Sequence, residues 1–439
     1  MPSDTSFSFE STNRELGAAR THLKQGRLVE AEQAYRNVAA VEPDQVEALR
    51  FLANAALSRG DPGEAVALLS RAAQADRNDI GVLLELGVAY RSGDRMDEAR
   101  YVLIRALELT QGRNTTARLL LANVFELDDR PEAALLHYFR AILDAQSTGQ
   151  WLSDQTTEPG LHRLVQHAMQ YVATGRRNLF EAPLAPFRRG INAVRMGRVD
   201  AALATYLLDR TEPPADLRQR PTFLYLPELG ATCFHDPQSF DWLDDCAARM
   251  SLQDKEALSC LSASEGPSGP SLFSLEAMTA NDSANALRAK EQYVFLYQRG
   301  LLHDTVRRHA PHLLASIDST PLIHIPGYGP DAVIIALQSG ARSTPRRGRT
   351  NAFCSIVVAF SGSAPLQVTV GGESRELRAG ESFIFDPSFE YEYAAASDGQ
   401  ALALIFDVWH PDISPQERDA LTALTLAVLD FDARLQDLA

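Results

Sequence analysis

A 34-residue spacing of small and apolar residues in the first third of the chain constrains the fold more than any other feature. Ala31, Ala65, Ala99 and Ala133 are each 34 residues apart. The same step recurs at positions 39, 73, 107 and 141, and again at 52, 86 and 120. Each unit has a Gly or Asp turn and then a helical pattern, with small residues where a neighbouring helix must approach closely. The period predicts four stacked helical units over residues 13–146, after an N-terminal tail over residues 1–12.

These units resemble tetratricopeptide repeats. Such repeats cannot bury their apolar faces alone and stack into a solenoid with a concave groove. The resemblance therefore implies a protein or peptide partner in the groove, with a solenoid that only scaffolds or dimerises as the alternative. Residues 147–220 are predicted to form a helical connector that contains one further repeat-like unit at 188–210, preceded by a break at 148–160 and followed by a linker at 209–222.

Length, charge and cysteine usage narrow the class of protein. A chain of 439 residues predicts two or three domains. A net charge of −15 argues against general nucleic-acid or anionic-membrane binding. The four cysteines, Cys233, Cys246, Cys260 and Cys354, form no C-x-x-C pair and are expected to be reduced and buried. With no signal peptide or long apolar run, the sequence predicts a soluble cytoplasmic protein without nucleic-acid or membrane partners.

The pattern changes from about residue 221. Residues 221–320 are predicted to form a helical and loop segment, with Asp236 capping a helix and a long loop at 259–281 that is a candidate lid. Residues 321–439 contain short strands at roughly ten-residue spacing, which predict an antiparallel sandwich or barrel. A closing helix is predicted at 414–429, with Ser414 and Glu417 forming a capping box.

The stretch over about residues 221–425 resembles the aspartyl/asparaginyl β-hydroxylase family. The resemblance is carried by stretches such as "ALQSGARSTPRRGRTN" (336–351), "VGGESRELRAGESFIFDPSFE" (370–390) and "IFDVWHPDIS" (405–414). It implies an iron(II)- and 2-oxoglutarate-dependent dioxygenase domain with a double-stranded β-helix fold. The predicted architecture is therefore multidomain: an all-α tetratricopeptide-repeat solenoid, then a jelly-roll or cupin-like double-stranded β-helix with flanking helices.

The positions that carry the family's chemistry are substituted. The two metal histidines correspond to Arg346 and Tyr391, and the arginine that clamps 2-oxoglutarate corresponds to Ala401. Two further cosubstrate positions fall at Phe353 and Val357. An arginine cannot ligate a metal, and a tyrosine does so only as phenolate. We expect a degenerate pseudo-oxygenase that holds neither iron nor 2-oxoglutarate and acts as a protein-, peptide- or anion-binding module.

Two enzymatic alternatives remain open. One is an active β-hydroxylase of peptidyl Asp or Asn, with iron(II) and 2-oxoglutarate held by relocated ligands. His303, His309, His312 and His324 precede the barrel strands, but nothing in the sequence pairs them with a carboxylate, and His410 is expected to be structural. The other is a metal-independent enzyme with Tyr391, Glu390 or Glu392 as acid or base. Whether the chain is an enzyme is therefore left undecided by the sequence.

A cluster of arginines precedes the second predicted barrel strand. Arg342, Arg346, Arg347 and Arg349 lie in a stretch, from Ala332 to Gly372, that contains no Asp, Glu or Lys. Arginine forks bind carboxylates and phosphates well, so the cluster is a candidate site for a small anion in the barrel. Only Arg346 is expected to point into the cup of the barrel. The other three are expected on a solvated loop, paired with surface acids.

Overall fold

The computed structural model describes residues 4–189, 196–209, 213–264, 291–396 and 398–438. The chain divides into two compact units. The first, the repeat unit, comprises Met1–Arg177 and Phe431–Ala439, and the second, the barrel unit, comprises Asn178–Asp430. Among the helices in these ranges, none combines the length and apolar character needed to cross a membrane.

The repeat unit is built from consecutive helices, and from the first to the eighth each helix contacts the next along the chain. They are α1 (Asp4–Lys24), α2 (Leu28–Val41), α3 (Val46–Ser58), α4 (Pro62–Ala75), α5 (Ile80–Ser92), α6 (Met96–Leu109), α7 (Thr115–Leu127), α8 (Pro131–Ser147) and α9 (His162–Glu181). Several begin where the sequence predicts a turn, because a short polar side chain caps the first turn. Asp61 accepts a hydrogen bond from the Glu64 amide at 2.9 Å, and Asn114 accepts one from the Ala117 amide at 2.7 Å.

The strict 34-residue step is wrong for the last repeat. Ala31, Ala65 and Ala99 are fully buried, whereas the fully buried counterpart in α8 is Ala134 rather than Ala133. The reason lies between α6 and α7, where the connection runs from 110 to 114 and is one residue longer than those at 42–45 and 76–79. Two residues of this connection adopt positive φ and absorb the insertion. The fourth unit therefore keeps the packing pattern with its register advanced by one.

Helix α1 begins at Asp4, within the predicted tail. No Gly or Pro interrupts the chain between Asp4 and Gly17, and the helix contributes buried Leu16 and Ala19 to the packing against α2. For the predicted unit at 188–210, the structure shows its second helix, α10 (Gly197–Tyr206); residues 190–195 lie outside the described residues.

The barrel unit contains two antiparallel sheets. Its strands are β1 (Phe234–His235), β2 (Glu291–Gln298), β3 (Leu301–Leu302), β4 (Ala332–Leu337), β5 (Phe353–Ala359), β6 (Leu366–Val370), β7 (Glu373–Leu377), β8 (Ser382–Phe385), β9 (Tyr391–Ala395) and β10 (Ala401–Trp409). The larger sheet has the order β1-β8-β5-β10-β4-β2-β3 and the smaller one β7-β6-β9. The predicted fold class, a helical repeat region followed by an antiparallel β domain, is confirmed.

The two faces of the larger sheet bury different sets of side chains. On β5, Val357 and Ala359 pack with residues of the smaller sheet, and we call this side the cup face. Cys354, Ile356 and Val358 point to the opposite side, the helix face. The helices α11 (Leu243–Ser251), α12 (Asp254–Ser264), α13 (Asp304–His309) and α14 (Pro311–Asp318) contribute buried residues to the helix face. Because successive side chains alternate, each strand serves two cores.

Helix boundaries in the barrel unit differ from the prediction in three places. Asp236 caps a 3-10 turn, accepting a hydrogen bond from the Gln238 amide at 3.0 Å, and the helix proper starts at Leu243. Residues 259–264 belong to α12 rather than to the predicted loop, because α12 buries Cys260 and Leu261; residues 265–281 of that loop lie outside the described residues. The closing helix α15 (Pro415–Gln436) extends beyond 429, and its capping box forms, with Ser414 Oγ donating to Glu417 at 2.8 Å.

Candidate functional site

The cup face of the barrel contains a cavity of about 220 Å³. Its polar lining comes from β5, β10, the start of β9 and the loops before β4 and β5. Its lining includes Tyr328, Asp331, Arg346, Arg349, Phe353, Ser355, Tyr391 and Asp407. In an oxygenase of the implied family, this cavity would be the active site.

The two positions at which the resemblance places the family's metal histidines meet at this cavity. Arg346 and Tyr391 form a reciprocal pair of backbone hydrogen bonds, each 2.9 Å long. The Arg346 guanidinium lies over the Tyr293 ring, 4.6 Å from its centroid. Its Nε is buried and, within the described ranges, has no hydrogen-bond partner. The site expected to hold a cation thus contains a fixed positive charge.

Tyr391 offers no metal ligand at neutral pH. Its side chain packs between the rings of Phe385 and Tyr393, at centroid distances of 5.1 and 5.8 Å. Burial raises the pKa of the Tyr391 phenol to about 12, because the phenolate would lose solvation. The neutral phenol that results is a poor ligand for iron.

The positions at which the resemblance places the 2-oxoglutarate ligands carry apolar side chains. Ala401 is 1% exposed and Val357 is fully buried, and both lie in the apolar cluster of the cup face. Phe353 reaches the cavity, where its ring packs edge-on against Trp409 at 5.0 Å. A dicarboxylate entering this end of the cup would meet methyl groups and rings instead of an arginine clamp.

A polar group that was not predicted lies across the cavity. Ser355 Oγ donates a 2.5 Å hydrogen bond to Asp407, the Asp of the "DVWHP" segment. Burial raises the pKa of Asp407 to about 7. Nearby, Arg349 pairs with Asp331 at 3.0 Å and donates to the Tyr328 carbonyl at 3.1 Å. One feature of the sequence could have indicated this group. Asp407 is a charged residue in the otherwise apolar strand β10, and it lies on the same face as Ile405 and Trp409.

The remaining arginines of the cluster are paired with acids at the rim. Arg342 pairs with Glu392, and Arg347 pairs with Glu390 at 3.1 Å. Strand alternation directs Glu390 and Glu392 away from Tyr391, which lines the cavity between them in sequence. Of the three residues considered as an acid–base set, only Tyr391 lines the cup cavity, and both glutamates are paired with arginines.

Motif residues that persist have structural partners. The buried Asn351 amide accepts a hydrogen bond from the Leu226 amide and donates one to the Leu226 carbonyl, both at 2.7 Å. Asp386, 1% exposed, accepts from Gln219 at 2.7 Å and from the Ser388 amide at 2.8 Å. These bonds attach the segment before β1 to the barrel, so these residues support the fold independently of any catalysis.

The histidines considered as relocated ligands lie apart from the cavity. His309 Nδ1 is 2.9 Å from Ser259 Oγ, and His312 Nδ1 is 2.6 Å from Glu256. Within the described ranges no histidine lines the cup cavity, and His303 and His324 do not reach it either. His309 and His312 lie on different helices, because the helical segment is broken at Ala310, between α13 and α14.

Fold and site together define an antiparallel double-sheet barrel that follows a helical-repeat region. Residues 271–411 match the sequence model described as Aspartyl/Asparaginyl beta-hydroxylase, and residues 16–80 and 56–123 match two tetratricopeptide repeat models. These matches, to tetratricopeptide repeats in the first part of the chain and to the aspartyl/asparaginyl β-hydroxylase model over residues 271–411, confirm the resemblance seen in the sequence.

Individual relatives are distant. Aspartyl/asparaginyl beta-hydroxylase of Mus musculus is 32% identical over 91 residues, which are 20% of this chain and 12% of that protein. Aspartate beta-hydroxylase domain-containing protein 1 of Bos taurus is 28% identical over 131 residues, 29% of this chain and 36% of that one. This chain thus spans well under half the length of these relatives. Among solved structures, "MamA MSR-1 C2" is 23% identical with a TM-score of 0.29, covering 31% of this chain and 78% of that one.

The donor set of the cup does not fit iron and 2-oxoglutarate. Catalytic non-haem iron needs imidazole and carboxylate ligands with open positions. Here a guanidinium and a neutral phenol stand at the ligand positions, Asp331 is paired with Arg349, and the carboxylate-clamp position is alanine. The side chains at these positions therefore do not supply the ligands that iron-dependent hydroxylation requires.

Proposed function

We propose that the protein is a binding module in which the repeats hold a polypeptide and the barrel cup holds a small anion, without iron-dependent hydroxylation. The support for a polypeptide partner is the repeat architecture, whose stacked units form extended binding surfaces. The support for the anion is Arg346. Both parts replace the catalytic role that the family resemblance implies.

Arg346 is the observation that carries the proposal. Within the described ranges, Arg346 has no carboxylate within 4.0 Å, whereas Arg342, Arg347 and Arg349 are each paired. A desolvated guanidinium nitrogen without a partner costs free energy, which a bound carboxylate or phosphate would recover. The cavity of about 220 Å³ is smaller than ordinary pockets for drug-sized ligands, so it suits a small anion.

The charge of the cup depends on pH. Of the three arginines that line the cavity, Arg349 is paired with Asp331 and Arg347 with Glu390, so Arg346 contributes the positive charge that no ion pair offsets within the described ranges. Because burial raises the pKa of Asp407 to about 7, its carboxyl is substantially protonated below that pH. The cup is then net positive. Anion binding is therefore expected to tighten as the pH falls from 8 to 6.

The test titrates the purified full-length protein with succinate and, separately, with inorganic phosphate by calorimetry at pH 6.5. R346Q removes the unpartnered guanidinium and is expected to weaken binding by roughly 10- to 100-fold, the usual worth of a hydrogen bond to a charged group. R342Q is the matched control, because Arg342 is an exposed arginine paired with Glu392 outside the cavity. Equal affinity of the wild type and R346Q would refute the anion site.

A second assay addresses catalysis directly. The anaerobically purified protein is supplied with Fe(II), 2-oxoglutarate and oxygen, and succinate is measured. The proposal predicts no succinate above the level of a heat-denatured control. Stoichiometric iron binding with turnover of 2-oxoglutarate would instead establish the active β-hydroxylase reading.

A further inference from the structure

Three residues with metal-ligating side chains meet on the helix face of the larger sheet, on the opposite side from the cup. They are His235 of β1, Cys354 of β5 and His410, which directly follows β10. One donor atom of each lies within 4.8 Å of the other two. In the part of the chain that the structure describes, no other group of three His, Cys, Asp or Glu side chains meets this condition.

The sheet order explains why residues so distant in sequence converge. His235 is registered with Ile384 of β8, which in turn is registered with Ile356 of β5. His235 therefore shares the helix face with Ile356 and Cys354. The chain continues past β10 so that the His410 amide donates to the Ala352 carbonyl at 2.9 Å, which places His410 beside the start of β5.

Each of the two imidazoles has one buried nitrogen, Nε2, without a hydrogen-bond partner within the described ranges. His410 is only 3% exposed, and the rings meet edge to face with centroids 5.0 Å apart. Buried polar atoms are almost always paired, so two unpartnered nitrogens beside one thiol indicate a missing ligand.

We propose that His235, Cys354 and His410 form a binding site for a zinc-class divalent cation. Two imidazoles and one thiolate are ligands that zinc prefers, and three protein ligands leave a fourth position for water. In a tetrahedral site, bonds of this kind place donor atoms about 3.3–3.8 Å apart, so small side-chain rotations close the present spacing. The site is separate from the cup and does not depend on the anion proposal.

Each ligand atom must be free of its proton when the cation binds. The Cys354 thiol releases its proton, which its burial otherwise disfavours, since burial raises the pKa of this thiol well above its ordinary value. Both histidines are already neutral at pH 7, because burial lowers the pKa of His235 and lowers that of His410 to about 4. Binding at His410 Nε2 moves the ring proton to Nδ1, which in the unbound structure accepts a 3.2 Å hydrogen bond from the Asp412 amide; that bond must break, and the Asp412 carboxylate, 4.0 Å from Nδ1, must move closer to accept the proton.

Cobalt substitution tests the site in the full-length protein. After dialysis against chelator, Co²⁺ is added under anaerobic conditions and the absorption spectrum is recorded. We expect a single Co²⁺ per chain, a thiolate-to-cobalt charge-transfer band and displacement of Co²⁺ by Zn²⁺. C354S should remove the band and weaken binding at least about 100-fold, since losing even an outer-shell partner costs 10–100-fold.

The matched control is C260S. Cys260 is equally buried on the helix face, at 1% exposure, but is not part of this cluster, so its replacement should leave the spectrum unchanged. Absence of the charge-transfer band with Co²⁺ in excess, or an unchanged band in C354S, would overturn the proposal. If circular dichroism shows that C354S does not fold, H235Q decides: His235 is half-buried, so its loss should spare the core while weakening cobalt binding. Unchanged cobalt affinity in H235Q would equally overturn it.

Discussion

Replacing Asp407 by Asn should stabilise the barrel, and the gain should grow with pH. Burial raises the pKa of Asp407 to about 7 in the folded protein, whereas an unfolded Asp titrates near ~3.9. Between these two values the folded state holds a proton that the unfolded chain has released. The free energy of unfolding therefore falls as the pH rises from about 4 to 7, and the loss is complete above that range.

The size of the expected gain in the free energy of unfolding follows from the pKa difference of Asp407 between the folded and unfolded states. A difference of about 3 pKa units corresponds to at most ~4 kcal/mol, of which roughly 2–3 kcal/mol develops between pH 5 and pH 8. Asn has nearly the shape of Asp, and its carbonyl oxygen can still accept the Ser355 hydroxyl bond. Solvent that reaches the carboxylate through the cup reduces the penalty, so D407N should gain ~1–3 kcal/mol over the wild type on going from pH 5 to pH 8.

Urea denaturation at pH 5, 6, 7 and 8 measures this difference. The tryptophan fluorescence transition of the barrel is followed, and the wild-type free energy is subtracted from that of D407N at each pH, which cancels other titrating groups. D398N is the control, because Asp398 is an exposed carboxylate of the same unit. A D407N advantage that is the same at pH 5 and pH 8, within about 0.5 kcal/mol, would show that Asp407 is not a destabilising buried charge.

Two further outcomes are expected. The double substitution R346H/Y391H should create an imidazole pair without restoring 2-oxoglutarate turnover, measured as succinate, because the cosubstrate arginine is still missing; turnover in this variant would disprove the need for the clamp. In the repeats, a Cβ at Gly87 would lie 2.8 Å from the buried Leu103 side chain, so G87A should lower the free energy of unfolding by ~1–2 kcal/mol, as overpacking exceeds the gain in helix propensity. G63A, whose Cβ meets nothing closer than 3.4 Å, should be neutral or stabilising in the same urea assay.

The sequence predicted those helices and strands whose small or apolar residues recur at a regular spacing. The alanine spacing marks positions where helices must touch, so Ala31, Ala65 and Ala99 are all fully buried. The same reasoning missed the shift to Ala134, because one inserted residue in a loop changes the register without changing the composition. Strands were predictable where both faces are apolar, as in β5. Strand β9 was not predicted as a separate strand. Its sequence, "YEYAA", mixes buried residues with partly exposed ones at the rim of the cup, so it shows no continuous apolar run.

The site was predictable only in part, for a physical reason. The alignment placed Arg346 and Tyr391 at former metal positions, and the fold brings both to one cavity. The pairing of Arg342, Arg347 and Arg349 depends on which acid the folded chain presents, which no local pattern records. The cluster of His235, Cys354 and His410 was missed for the same reason, because its members are more than fifty residues apart and only the β1-β8-β5-β10 order joins them.

The barrel contains residues that hold the fold and, apart from them, positions at which the family resemblance places catalytic chemistry. Asn351 and Asp386 keep their buried hydrogen bonds, and removing either would leave backbone or amide groups unpaired at a cost of ~1–3 kcal/mol each. An arginine at position 401 would carry the opposite cost: without a bound carboxylate it would be a buried, uncompensated charge, which destabilises by roughly 3–5 kcal/mol. Without a bound cosubstrate, alanine is therefore the more stable residue at this position. Stability alone thus favours keeping Asn351 and Asp386 and favours alanine at position 401, and Arg346 is the charged group on which the proposed anion site rests.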